Sequence, residues 1–164
     1  MTLFSRTKAK FLIQNLKANG KKVVFTNGCF DIIHKGHTTY LELASGLGDF
    51  LIIGLNSDSS VTKLKGPNRP INQEAIRAAN LLKLDYVDAV TIFSEETPQK
   101  IIEELRPDFL VKGGDYEPEN IVGADCVRSD GGQVVILPFV AGHSTTNIIE
   151  KQLGKDLTEE DAPD

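Results

Sequence analysis

The strongest constraint on this chain is an alternation. Short apolar runs rich in β-branched residues take turns with stretches of helical periodicity from Lys22 to Gln152. The runs are Lys22–Thr26 (KVVFT), Phe50–Leu55 (FLIIGL), Val87–Ile92, Asp108–Val111 and Gln133–Leu137. FLIIGL is apolar at every position, as a strand covered on both faces should be. The helical stretches are about Gly36–Leu47, Gln73–Leu84, Pro98–Leu105 and Thr145–Gln152, with a short amphipathic helix at the N-terminus carrying Phe11, Leu12 and Leu16. Pro98 suits a helix start, where its missing N–H costs nothing. Alternation at this spacing predicts an α/β, Rossmann-like, doubly wound fold: a five-stranded, mostly parallel sheet with helices on both faces and right-handed crossovers.

In such a sheet ligands bind beyond the carboxyl ends of the strands, where the strand order reverses. The polar motifs all follow strands. Gly and Pro concentrate in Lys65–Pro70 (KGPNRP) and Lys112–Pro118 (KGGDYEP), two loops on that same rim. With 164 residues and no internal repeat or linker, one domain over 1–153 is expected, followed by an acidic tail (154–164) with almost nothing to bury and hence disordered.

Composition narrows the partners. A formal charge of −5 argues against a general nucleic-acid binder, while an anionic small molecule needs only a few local cations and N–H groups. No run of about 18 apolar residues exists, which excludes a membrane helix. The N-terminus lacks the pattern of a secretory signal. Two cysteines, Cys29 and Cys126, provide neither a disulfide framework nor zinc-ligand spacing, and a cytoplasmic protein with reduced thiols is expected.

The chemistry concentrates after the first strand, in Thr26-Asn27-Gly28-Cys29-Phe30-Asp31-Ile32-Ile33-His34-Lys35-Gly36-His37. Two of the three histidines stand at the entrance to a helix, where unpaired N–H groups and a partial positive charge favour phosphate. Imidazoles there can donate hydrogen bonds to a phosphoryl group without permanent charge. Gly28 and Gly36 permit close approach of a nucleotide. The plainer alternative is that His34 and His37 only cap the helix. Zinc is a further alternative, for which no carboxylate or cysteine set completes a site.

The stretch GCFDIIHKGH resembles the HxGH signature of the cytidylyltransferase-like nucleotidyltransferases. Together with LNSDSSVTKLKGPNRPIN, LVKGGDY and LPFVAGHSTTNII it resembles the D-glycero-β-D-manno-heptose 1-phosphate adenylyltransferases, over roughly Lys22 to Leu153. HxGH alone identifies the superfamily; the four motifs in order are more specific. The resemblance implies transfer of AMP from ATP to a heptose 1-phosphate, giving ADP-heptose and pyrophosphate, in bacterial lipopolysaccharide synthesis. In many bacteria such a domain follows a ribokinase-like heptose kinase; here a separate kinase is expected, together with a homodimer.

Residue by residue, the resemblance implies that Asn27, Gly28, Cys29, Phe30 and Gly36 lie against the nucleotide. His34 and His37 would hydrogen-bond its phosphates and stabilise the charge that develops as pyrophosphate leaves. Lys63 and Lys65 match a Lys-x-Lys pair that holds the acceptor phosphate, on one side of the chain if the segment is extended; a solvated basic loop is the plain alternative. Asn56, Asp58 and Arg69 of the same motif, with Asp31, are assigned to the sugar phosphate. Arg77 corresponds to an arginine on the triphosphate, or else pairs with Glu74 on a helix surface. Lys112, Gly113 and Asp115 are placed by the nucleotide, with a structural turn as the competing reading. Ser144, Thr145 and Thr146 either touch the nucleotide or simply cap the last helix. His143 stands where these enzymes often have cysteine. Magnesium would arrive on the triphosphate, since no dedicated carboxylate cage exists. Asp31 is the nearest candidate ligand, unless it orders its own loop. A cytidylyltransferase for glycerol 3-phosphate or another alcohol phosphate is the alternative enzyme, and an inactive nucleotide-binding module the alternative class. A dinucleotide-binding oxidoreductase fits poorly, because no G-x-G-x-x-G follows the first strand.

Overall fold

The computed structural model describes residues 2–114 and 121–137. Six strands, β1 (Thr2–Leu3), β2 (Val23–Gly28), β3 (Phe50–Asn56), β4 (Ala89–Phe93), β5 (Phe109–Gly113) and β6 (Gln133–Leu137), form one sheet in the order β1-β4-β3-β2-β5-β6. Every pairing is parallel. The five expected strands are all present, with ends shifted by no more than two residues, and the two-residue β1 adds an edge beside β4.

The helices are α1 (Arg6–Ala18), α2 (Lys35–Ser45), α3 (Asp58–Lys65), α4 (Glu74–Leu82), α5 (Gln99–Leu105) and α6 (Ala124–Ser129). Strand alternation divides the core in two. Val23, Phe25, Ile52, Ala89 and Leu110 pack with Ala9 and Ile13 of α1, Ile101 and Leu105 of α5, and Val127 of α6. Val24, Leu51, Ile53, Leu55, Val90 and Val111 pack on the other face with Tyr40, Leu41 and Ala44 of α2 and Ala78 and Leu81 of α4. The sheet is therefore doubly wound. At its centre Gly54 lies under the ring of Phe25, and a Cβ there would stand 2.7 Å from Cζ.

Three elements differ from the sequence expectation. In α1 the buried positions are Ala9 and Ile13, with Leu16 packed beside them, whereas Phe11 is 63% exposed. α3 and α6 occupy stretches without a long apolar stripe. The signals for α3 are at its ends: the Ser57 hydroxyl accepts the Ser60 N–H at 3.2 Å, Asp58 sits in the first turn, Lys63 and Lys65 in the last, and Gly66 follows at φ 110°.

Aspartates fasten the amino ends of the strands. The Lys22 N–H donates to Asp49, the Val23 N–H to Asp108 and the Leu51 N–H to Asp88, each at 2.8 Å. The chain runs from β2 through β3 to β4 on one side and returns to β5 and β6 on the other, so strand order reverses at β2–β5. The helix expected over Thr145–Gln152 and the acidic tail lie outside the described residues.

Candidate active site

β2 delivers the first motif to the carboxyl edge at the reversal point. Asn27 and Cys29 are buried, and the Thr26 and Tyr40 hydroxyls meet at 3.3 Å beneath them. Phe30 takes φ 44°, in the left-handed region, at a cost of about 1–2 kcal/mol for a non-glycine residue. Its ring lies 5.2 Å from that of His37, tilted by 60°.

The two histidines do cap α2, and the capping defines their chemistry. His34 Nδ1 accepts the Gly36 N–H and His37 Nδ1 accepts the His34 N–H, both at 3.2 Å. The rings stack with centroids 4.0 Å apart. A nitrogen that accepts cannot hold the ring proton, so each neutral imidazole carries it on Nε2. Both Nε2 atoms are therefore donors at a helix N-terminus. The capping and phosphate-binding readings are compatible, because they use opposite nitrogens. Metal ligation through Nδ1 is not, because those lone pairs are occupied.

Asp31 orders the loop. Its Oδ2 accepts the Ile71 N–H at 2.7 Å and Arg69 Nε at 3.0 Å, and its Oδ1 accepts the Asn72 N–H at 2.8 Å. Burial pushes the carboxyl pKa up, but the two backbone N–H groups and the Arg69 guanidinium outweigh it, and the net value lies below the ordinary 3.8. The donors that this carboxylate meets are protein groups, as expected of a residue that orders its own loop. Arg69 Nε donates to Asp31, and the carbonyl and amide of Asn56 serve Arg77 and Ser60. Asp58 Oδ1 accepts the Glu74 N–H and an Arg77 N–H, at 2.8 and 2.7 Å, while Glu74 accepts the Asp58 N–H.

Arg77 is neither on a helix surface nor paired with Glu74. It is fully buried and donates to the carbonyls of Cys29, Asn56 and Asn72 and to Asp58, at 2.7–2.9 Å. All four of these bonds go to protein. Asn72, which sequence reasoning did not single out, joins this network through its N–H, carbonyl and amide. No sequence signal marks a contact between positions 41 apart.

Lys63 and Lys65 stand in the last turn of α3, Lys63 exposed and Lys65 half-buried. The segment is helical rather than extended, so a spacing of two places their Cβ atoms roughly 200° apart around the axis. Any convergence on one phosphate must come from the long side chains. Lys112, 6% exposed, and Gly113 end β5 across the reversal point. Asp115, His143, Ser144, Thr145 and Thr146 lie outside the described residues. Among the described residues no group of three His, Cys, Asp or Glu side chains is arranged to hold a metal, and no helix is long and apolar enough to cross a membrane.

Residues 25–151 match the family model described as cytidylyltransferase-like. The chain is 57% identical over 142 residues to the bifunctional protein HldE of Geobacter metallireducens, covering 87% of this chain and 29% of that protein. For the HldE of Azotobacter vinelandii the figures are 55% over 139 residues, 85% and 29%. The chain thus spans under a third of the length of these relatives. Among solved structures, a lipopolysaccharide core biosynthesis protein from Thermoplasma volcanium superposes with a TM-score of 0.58 at 29% identity, covering 73% of this chain and 96% of that one. A pantoate-β-alanine ligase from Francisella tularensis shares the fold at a TM-score of 0.59 and 13% identity, over 84% and 67%. With the model spanning most of the sequence and the paired histidines at the carboxyl edge of β2, the chain belongs to the cytidylyltransferase-like family.

Proposed function

We propose that the chain is an adenylyltransferase that joins the AMP of ATP to D-glycero-D-manno-heptose 1-phosphate, releasing pyrophosphate and ADP-heptose. The observation that carries this reading is the pair of Nε2 donors set by reciprocal capping at the entrance to α2. The identity to HldE proteins over most of the chain supports the choice of sugar and nucleotide.

A phosphate monoester oxygen is already a nucleophile at neutral pH, so no general base is needed. That oxygen attacks the α-phosphorus, the bond from the α-phosphorus to the bridging oxygen breaks, and pyrophosphate leaves with the electron pair. His34 and His37 donate to the phosphate oxygens where charge accumulates, and the helix N-terminus adds its partial positive charge. Lys63 and Lys65 draw in the acceptor phosphate from the end of α3. Asn27, Gly28, Cys29, Phe30, Gly36, Lys112 and Gly113 form the nucleotide side, with Asp115, Ser144, Thr145 and Thr146 completing it. Magnesium arriving with the triphosphate would supply charge neutralisation for the leaving group. Asp31 and Asp58 accept backbone N–H groups of the protein. The enzyme works in the cytoplasm as a homodimer, and its acceptor is the product of a sugar kinase.

The test is pyrophosphate release from ATP or CTP with each anomer of heptose 1-phosphate and with glycerol 3-phosphate. Turnover with ATP and one heptose anomer is expected. Turnover with CTP alone would replace adenylyl by cytidylyl transfer, and no turnover with any pair would leave a binding module.

A further inference from the structure

Arg77 is fully buried among the loops that carry the candidate site residues. Its guanidinium reaches four pieces of chain: the turn after β2 (Cys29), the end of β3 (Asn56), the start of α3 (Asp58) and the loop before α4 (Asn72). Asp31 closes the figure. Two residues beyond Cys29, it grips Ile71 and Asn72 by their N–H groups. Segments 29–31 and 69–72 are therefore joined twice, through Arg77 and through Asp31, in a closed ring of hydrogen bonds.

A planar guanidinium with several fixed donors suits this junction, whereas an ammonium carries its three donors on one freely rotating atom. Burying a charge against one carboxylate and three neutral carbonyls is a poor device for stability, because a well-packed apolar side chain does as well. The arrangement is a good device for geometry. We infer that Arg77 is a positioning residue, which fixes the histidine turn against the base of α3 without touching either substrate. The inference rests on the adenylyl-transfer reading, in which the turn carries the nucleotide and α3 the acceptor. In-line displacement tolerates little error between the two, since a shift of about 1 Å can cost roughly 100-fold in rate.

The experiment compares wild type, Arg77→Lys and Asp58→Asn. Asparagine at 58 can still accept the Glu74 N–H but loses the charge that Arg77 meets. Steady-state kinetics with ATP and heptose 1-phosphate are combined with equilibrium binding of a non-hydrolysable ATP analogue, thermal midpoints and amide exchange over 29–37 and 69–73. Arg77→Lys should lower kcat by about 30- to 100-fold, leave the analogue Kd within about threefold, and speed exchange in both segments. Asp58→Asn should show the same pattern at about three- to tenfold in kcat. An unchanged kcat per folded molecule overturns the inference, as does a loss of analogue affinity that matches the loss of kcat and so puts the guanidinium on the triphosphate. If Arg77→Lys does not fold, Asp58→Asn decides by the same criteria. A wild type without turnover sinks the functional reading instead, and exchange then judges the ring alone: faster exchange in both segments upholds the coupling, and an unaltered 29–37 refutes it.

Discussion

Carboxylates work at both ends of the sheet, and their reach differs. At the amino ends Asp49, Asp88 and Asp108 each accept one N–H from the start of an adjacent strand, a contact that only extends pairing already made by the ladder. At the carboxyl ends Asp31 and Asp58 accept several donors from segments that no ladder joins. The first arrangement reinforces a scaffold. The second builds a surface from loops, and its failure should appear in turnover as well as in stability.

That contrast can be broken by substitution. The largest effect is expected at the donors themselves: His34→Ala and His37→Ala should each lower kcat by about 100-fold or more, measured as pyrophosphate release from folded protein. Wild-type rates in a folded His37→Ala protein would remove the histidines from the chemistry. Next comes Asp31→Asn, with a loss of about 2 kcal/mol in urea denaturation at neutral pH. Because the folded-state carboxyl titrates below its ordinary 3.8, its stabilising contribution is present above that value and disappears as pH falls through the lower folded value. The gap between wild type and variant should therefore shrink on acidification, and a constant gap would show that the charge is irrelevant. Lys63→Ala should raise the acceptor KM by roughly tenfold, about 1.4 kcal/mol, with ATP-analogue affinity nearly retained. An equal loss for both ligands would move Lys63 to the nucleotide. The smallest change belongs to the amino end, where Asp88→Ala should cost about 1 kcal/mol of stability and leave kcat per folded molecule untouched. A kinetic defect there would erase the distinction between the two ends.

The five longer strands could be read from the chain because each contains an apolar run, and α2, α4 and α5 because each carries a separate stripe. α3 was harder to read, since its evidence lies in its caps and its interior, DSSVTKLK, holds β-branched and hydroxyl residues that favour other conformations. The histidine turn was legible as a motif, but the division of labour between Nδ1 and Nε2 was not, because that depends on which backbone N–H each ring meets. Arg77 shows the limit most clearly. Spacing on a helix predicted a surface partner three residues away, whereas its partners Cys29 and Asn56 stand 48 and 21 positions away, and burial on that face of α4 is a tertiary outcome.

The glycine at the middle of β3 has a consequence for how such a chain can vary. With Phe25 pressed over it, position 54 has no room for a side chain, so even alanine must displace an aromatic ring in the core. A saturation library should return glycine alone there, and nearly anything at Ile71, which is 61% exposed. A letter this resistant to editing would thus be one with no chemistry of its own.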